Sequence, residues 1–332
     1  MSRWIAVAIG LMLCPLNAGA DDVVPTQLVV VVGAGGAEPY QTEFWEWARL
    51  WRTRVESSDV KLHLIGESPS PSDREQLKSV IAEAGGTEAS PLWIVLIGHG
   101  TFSQNVAKFN LRGPDVSATE LAEWIKPLDR PLVIVNCASA SGPFINALSA
   151  PGRVIVTATQ SGSEQNYARF GRYFVEAIGS LDADLDHDEE ISVQEAFLKA
   201  NATLKLSYET EARIRTEHAL IDDNGDGLGT PFKAFRRDGA LTVAQTDREL
   251  DGRRAAKMAL IPAAKQARLK PDEVRSRDET EHEIATLRLQ KQSMDETAYF
   301  EQLEALLVRL AKIYQAAEDR GKKSSSNSTA SP

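Results

Sequence analysis

Trp93-Ile-Val-Leu-Ile-Gly-His-Gly100 and Leu132-Val-Ile-Val-Asn-Cys-Ala-Ser139 each run apolar for several residues and then stop at a side chain that can do chemistry. A strand with one wet face alternates in polarity, whereas a strand apolar on both faces is covered by helices on both sides, as in a parallel sheet. Leu28-Val-Val-Val-Val32, Val60-Lys-Leu-His-Leu-Ile65 and Val154-Ile-Val156 repeat the pattern, and amphipathic spacing places helices at 42–54, 72–84, 118–125 and 165–178. This β-α-β-α order predicts a doubly wound, mostly parallel α/β sheet over residues 21–243. Ligands of such sheets bind beyond the carboxyl ends of the strands, where His99 and Cys137 fall.

Arg3, the apolar run 4–13 and Ala18-Gly-Ala20 read as a signal peptide over residues 1–20, so the chain is expected to be exported, to a periplasm or to the medium. No later stretch approaches the roughly 20 apolar residues of a membrane span. Without Cys14, Cys137 is the only cysteine left and has no intramolecular disulfide partner. Alone it would read as a small buried hydrophobe; at a strand end, one βα unit after His99, it reads as a nucleophile. The chain has 42% hydrophobic residues, enough for a core, and its 37 basic against 47 acidic residues disfavour nucleic acid as a general partner.

A cysteine peptidase needs a thiolate, a proton donor for the leaving amine, and amides for the oxyanion. Cys137, His99, and the Gly100 and Cys137 amides fill these roles. Ser141 capping a short helix with Pro143 in its first turn, together with a nearby His99, would lower the thiol pKa. The two blocks, with Thr157-Ala-Thr-Gln-Ser-Gly-Ser-Glu-Gln-Asn-Tyr-Ala168 and Tyr40, resemble the caspase/legumain clan of cysteine peptidases, the legumain side more closely, over roughly 28–211. That resemblance implies His99 as general acid/base and Cys137 as nucleophile. The pocket arginine and acid of legumains are replaced by Gln41 and Val135, so cleavage after Asn or Asp is not implied. Gln41 and Gln165 are the candidate substrate-binding residues.

Asp184-Leu-Asp-His-Asp-Glu-Glu-Ile-Ser-Val-Gln-Glu195 has the spacing of an EF-hand calcium loop: Asp184, Asp186 and Asp188 at positions one, three and five, Glu190 at seven, Ser192 at nine, Glu195 at twelve. It predicts a structural Ca2+, although Glu189 holds the position where glycine is usual; the alternative is a solvated acidic loop. Asp222, Asn224 and Asp226 repeat half of such a loop, with Lys233 at position twelve, and read equally as a turn. His218 and His282 sit in charged, helix-like sequence without metal-ligand spacing. No organic cofactor is indicated.

Residues 244–323 read as a helical extension whose apolar spacing includes Ile284, Leu287, Tyr299, Leu303, Leu306, Leu307, Leu310 and Ile313. It either packs back on the α/β part or docks a protein partner. Residues 324–332 form a polar tail expected to be disordered. The functional expectation is an exported cysteine endopeptidase acting on peptide or protein substrates. A transpeptidase through the same acyl-enzyme and a catalytically silent scaffold of an exported complex are the alternatives.

Overall fold

In the computed structural model, which describes residues 25–68, 72–85, 90–235, 251–262, 269–290 and 294–328, each of the five apolar runs forms a strand. The expected signal peptide lies outside the described residues. The order is β1 (Gln27–Val32), α1 (Glu38–Val55), β2 (Lys61–Ile65), α2 (Asp73–Glu83), β3 (Leu92–Ile97), β4 (Gly100–Ser103), β5 (Val106–Phe109), β6 (Val116–Ser117) and α3 (Ala118–Ile125). There follow β7 (Leu132–Asn136), α4 (Phe144–Leu148), β8 (Arg153–Thr157), α5 (Phe170–Ile178), α6 (Val193–Thr210), β9 (Leu220–Asp222), β10 (Thr230–Pro231), α7 (Pro271–Gln290) and α8 (Glu296–Ser328).

The main sheet has the order β10-β9-β8-β7-β3-β1-β2, with β2, β1, β3, β7 and β8 parallel and β9 and β10 antiparallel. Along β1, Leu28, Val30 and Val32 enter a core with α1, α5 and α6, while Val29 and Val31 enter a second core with α2, α3 and α4. Alternate residues of one strand therefore bury on opposite faces, which is why Leu28–Val32 and Leu92–Ile97 carry no polar positions, whereas the edge strand β2 admits Lys61 and His63. Helix starts at Ser72, Ser117 and Ser192 are fixed by capping boxes with Glu75, Glu120 and Glu195.

Several expectations are corrected. Between His99 and α3, where Lys108 to Leu111 reads as one short strand in the sequence, lies a three-stranded antiparallel sheet, β4-β5-β6. Helix α5 starts at Phe170 and not at 165, because the preceding loop spends its backbone on other partners. Residues 251–260 belong to the α/β core: Ala255 and Leu260 are buried there, and Asp223 accepts the Gly252 and Ala255 amides at 2.8 and 2.7 Å. Helix α8 runs on to Ser328, into the segment expected to be disordered, because propagating a formed helix needs only one hydrogen bond per added residue. Helices α7 and α8 form an antiparallel hairpin, closed by Arg309 to Glu283 at 2.6 Å and Arg320 to Glu273.

Candidate active site

The chain passes from β1 out to β2 and then back across β1 to β3, so the carboxyl ends of β1 and β3 form the topological switch point where ligands of such sheets bind. The Gly33–Gly36 loop leaves β1 there, and His99 follows β3. One strand further on, β7 pairs with β3 in a register that sets Leu96 opposite Asn136. Val133, Val135 and Cys137 all join the core under α1 and α5, as do Trp93, Val95 and Ile97 of β3. His99 continues that alternation and packs on α1 as well. The expected pair is therefore brought to one edge and one face of the sheet, although no hydrogen bond joins the two side chains among the described residues.

Cys137 is 1% exposed, and its Sγ has the Val135 carbonyl at 3.9 Å as its hydrogen-bond contact. Helix α5 presents Gly171 to it. A Cβ on that glycine would lie 2.5 Å from Cys137 Cβ, 2.8 Å from Sγ and 3.1 Å from the Trp47 ring, so only glycine lets the helix, the thiol and the indole meet. Burial, and secondarily the Glu217 charge, push the thiol pKa up. The expected lowering is thus reversed. Ser141 does not cap a helix; its hydroxyl meets Thr159 Oγ1 at 3.1 Å, and Pro143 occupies the N-cap position of a helix only five residues long. The start of α5 lies beside the sulfur at Gly171, but its first amides are taken by the Glu217 carboxylate, whose charge raises the thiol pKa further.

Both expected oxyanion donors are already engaged. The Cys137 amide donates to Leu96 O at 2.9 Å, extending the β3–β7 ladder by one bond. The Gly100 amide donates to Ser139 Oγ at 3.2 Å, and that hydroxyl returns to Gly100 O at 3.2 Å. An acyl oxygen could use them only after Ser139 and the strand end had moved.

His99 Nε2 lies 3.2 Å from Gly35 O, which supplies the support for the imidazole that the sequence did not reveal. Its ring packs against Tyr40 and Phe44, both at 5.1 Å between centroids, and against Tyr167 at 6.2 Å. Burial lowers the His99 pKa, and the Gly35 bond partly opposes it. Gln41, a candidate substrate-binding residue, closes the turn after β1: its Oε1 accepts the Gly35 amide at 2.9 Å. A Cβ at Gly35 would overlap the Gln41 backbone at 2.6 Å, so the approach depends on glycine. Gln165 is exposed and donates to Gly162 O at 3.4 Å. Tyr40, Phe44 and Trp47 lie one turn apart on α1; Tyr40 and Phe44, with Tyr167, cover His99, and Trp47 meets Gly171 beside the thiol.

Glu217 is fully buried and fixes the start of α5, the helix that brings Gly171 to the thiol. Its carboxylate accepts the Arg169 and Phe170 amides at 2.9 Å and the Tyr208 hydroxyl at 3.0 Å, capping α5 from a distance. Desolvation raises its pKa against those bonds. His218 stands in the loop just before β9, not in a helix, and its Nδ1 meets Glu164 at 2.6 Å. The side chain of His282 lies outside the described residues.

In the acidic loop, Asp184, Asp186 and Asp188 bring carboxylate oxygens within 4.8 Å of one another. Glu189 takes φ +73°, the conformation for which a glycine is usual. Burial first, then the neighbouring carboxylates, pushes Asp186 up to about 6. These hard oxygen donors fit a divalent cation. Ser192 and Glu195 are otherwise occupied: they form the capping box of α6, and Glu195 also accepts the Leu185 amide at 2.7 Å. At the second loop the turn reading accounts for the contacts. Asn224 accepts the Asp226 amide and Asp226 the Leu228 amide, each at 2.8 Å, while Asp222 accepts the Ser149 hydroxyl at 3.0 Å.

No protein-family model and no curated protein matches this chain. Among solved structures it is similar to the Drosophila initiator caspase Dronc, with 13% identity and a TM-score of 0.36 over 69% of this chain and 96% of that one. It is also similar to protein GSU0716 of Geobacter sulfurreducens, with 9% identity and a TM-score of 0.40 over 63% and 98%. A third likeness is to Chaetomium thermophilum Raptor, with 9% identity and a TM-score of 0.33 over 88% of this chain and 25% of that one. The α/β class itself follows from the strand order and the two-faced core.

Proposed function

We propose that this chain is a cysteine-type endopeptidase whose closed form is the one described. In the working cycle His99 takes the thiol proton as Cys137 attacks a peptide carbonyl, then gives that proton to the departing amine, and water releases the acyl-enzyme. Capture of the acyl group by an amine instead of water would give transpeptidation. The observation that carries this reading is that His99 and Cys137 end neighbouring parallel strands on the same face and edge of the sheet. A lowered His99 pKa suits the base, since the imidazole is then neutral at pH 7 and able to accept the proton.

Turnover requires the cover to move. Phe44 is 0% and Trp47 3% exposed. At about 1.5–3 kcal/mol for exposing each large apolar side chain, uncovering both costs about 3–6 kcal/mol. That leaves the open form near 10^-2 to 10^-4 of molecules, so the isolated chain is expected to be a slow enzyme unless a substrate or partner holds α1 aside. A second reading, a catalytically silent scaffold, is favoured by the engaged Gly100 and Cys137 amides.

Export through residues 1–20 and a structural Ca2+ at Asp184, Asp186 and Asp188 complete the proposal; bound there, calcium would offset the mutual repulsion of the three carboxylates. The test is a mixed-sequence peptide library incubated with the mature protein, with calcium and with chelator, and read by mass spectrometry. Cuts that vanish in Cys137→Ala support the endopeptidase. A folded protein that never cuts, and whose thiol resists acyl electrophiles throughout, moves the assignment to the scaffold.

A further inference from the structure

Tyr167 reaches His99 from the 158–169 loop, which joins β8 to α5. Its ring packs on Tyr40 at 4.9 Å between centroids and on Phe44 and Trp47 at 6.1 Å. Of the three rings against the imidazole, Phe44 is buried in the core, whereas Tyr40 is 38% exposed and Tyr167 half-buried. The Tyr167 hydroxyl donates to the Glu43 carboxylate of α1, the one hydrogen bond between that loop and α1 among the described residues. Burial first, then Glu43, pushes the phenol pKa up, so the hydroxyl keeps the proton it donates.

The backbone on either side of Tyr167 is held by other partners. Glu164 O accepts the Ala140 amide at 2.8 Å, and the Glu164 carboxylate accepts the Gln160 amide at 3.0 Å and the His218 amide at 3.1 Å. Beyond Tyr167, the Arg169 amide is held by Glu217 at 2.9 Å. Between these anchors it is the side chain that can move. Rotation about its first torsion carries the ring off the imidazole and leaves the loop and α1 in place, once the bond to Glu43 is broken. We propose that Tyr167 is a side-chain gate over His99, latched shut by Glu43. The gate rests on the reading of His99 as the acid/base and regulates access to that residue alone. The thiol stays covered, because Gly171 and Trp47 belong to α5 and α1, which the rotation leaves in place.

Diethyl pyrocarbonate acylates neutral imidazole and iodoacetamide alkylates thiols, and neither reaction needs peptidase activity. With the full chain at about pH 7.5, above the ordinary histidine range, labelling rates at His99 and Cys137 are read by peptide mass spectrometry. Tyr167→Phe keeps the ring but loses a hydrogen bond to a charged acceptor; it should speed His99 acylation about tenfold and leave Cys137 alkylation within about twofold. Glu43→Gln, which keeps an acceptor without the charge, should give about threefold. The double variant should be no faster than Tyr167→Phe alone, since both changes act on one bond. Glu46→Gln, exposed on the same helix, should change neither rate. A His99 rate unmoved by Tyr167→Phe, a Cys137 rate that rises in step with it, a double variant whose effects multiply, or an equal response to Glu46→Gln overturns the gate. Absence of peptide cleavage alongside the expected labelling would count against the peptidase and leave the gate standing.

Discussion

Replacing Gly171 by alanine sets two effects against each other, and their balance tests where the Cys137 side chain points. Alanine is favoured over glycine in a helix by up to about 1 kcal/mol, less in a first turn such as this one. Against that, the new methyl would sit 2.5 Å from Cys137 Cβ and 2.8 Å from Sγ. Ordinary carbon contacts lie near 3.5–4.0 Å, so about 1 Å must be found. The sulfur can rotate, but Cys137 Cβ cannot, because the residue's amide is held to Leu96 O. Inserting a methyl into a packed core costs about 1–3 kcal/mol, so a net loss of about 1–2 kcal/mol is expected. Urea denaturation at constant m measures it. In a double-mutant cycle with Cys137→Gly, which removes both atoms, the coupling should be about 1–2 kcal/mol in the direction of rescue. A Gly171→Ala protein more stable than its parent, or a cycle additive to within about 0.5 kcal/mol, would refute the inward placement of the thiol.

The native Cys137 thiol should react with iodoacetamide at least about 100-fold more slowly than in the unfolded chain, because reaction waits on opening; rates within tenfold of each other would mean the cover does not exist. His99 has its pKa lowered by burial, so the unfolded chain binds the proton more readily than the folded one; stability should therefore fall as pH drops through about 6.5 and below, with a slope that His99→Gln removes. Gln41→Ala should cost about 1 kcal/mol and alter the His99 titration followed by NMR, since it frees the Gly35 amide next to the carbonyl that His99 meets; an unchanged titration would reduce Gln41 to a turn residue. Millimolar calcium should raise the melting temperature of the parent protein but not of Asp186→Asn, and equal shifts in both would place the ion elsewhere.

The strands were legible because apolar residues on both faces have no other economical use: Leu28 to Val32 and Trp93 to Ile97 can be satisfied only between two layers of helices. Ser117 with Glu120 likewise marks the start of α3, since a capping box is a local interaction written in four residues. Strands β4, β5 and β6 were harder to see. They are two to four residues long and alternate only weakly, and their pairing depends on partners the sequence does not place. That His99 and Cys137 follow neighbouring strands could be read from the sequence, but the burial of the thiol could not. Whether a thiol at a strand end faces solvent or core depends on one further step of alternation and on what α5 offers opposite. Gly171 carries no motif. The cover from Tyr40, Phe44 and Trp47 follows a helical spacing that reads equally well as ordinary core, and the commitment of Gln41 to Gly35 depends on a turn whose shape emerges only in three dimensions.

The cap on α5 also sets an order of events. Arg169, at its N-cap, makes no side-chain cap of its own, and the carboxylate that satisfies the first amides comes from Glu217, 47 residues from Phe170. During synthesis the helix over Cys137 therefore lacks its cap, worth about 1 kcal/mol, until the stretch leading into β9 has followed. Until then Gly171 is not fixed above the sulfur. The cover of the lone thiol is thus tied to a contact made across 47 residues of sequence, so it belongs to the completed fold and not to any local segment.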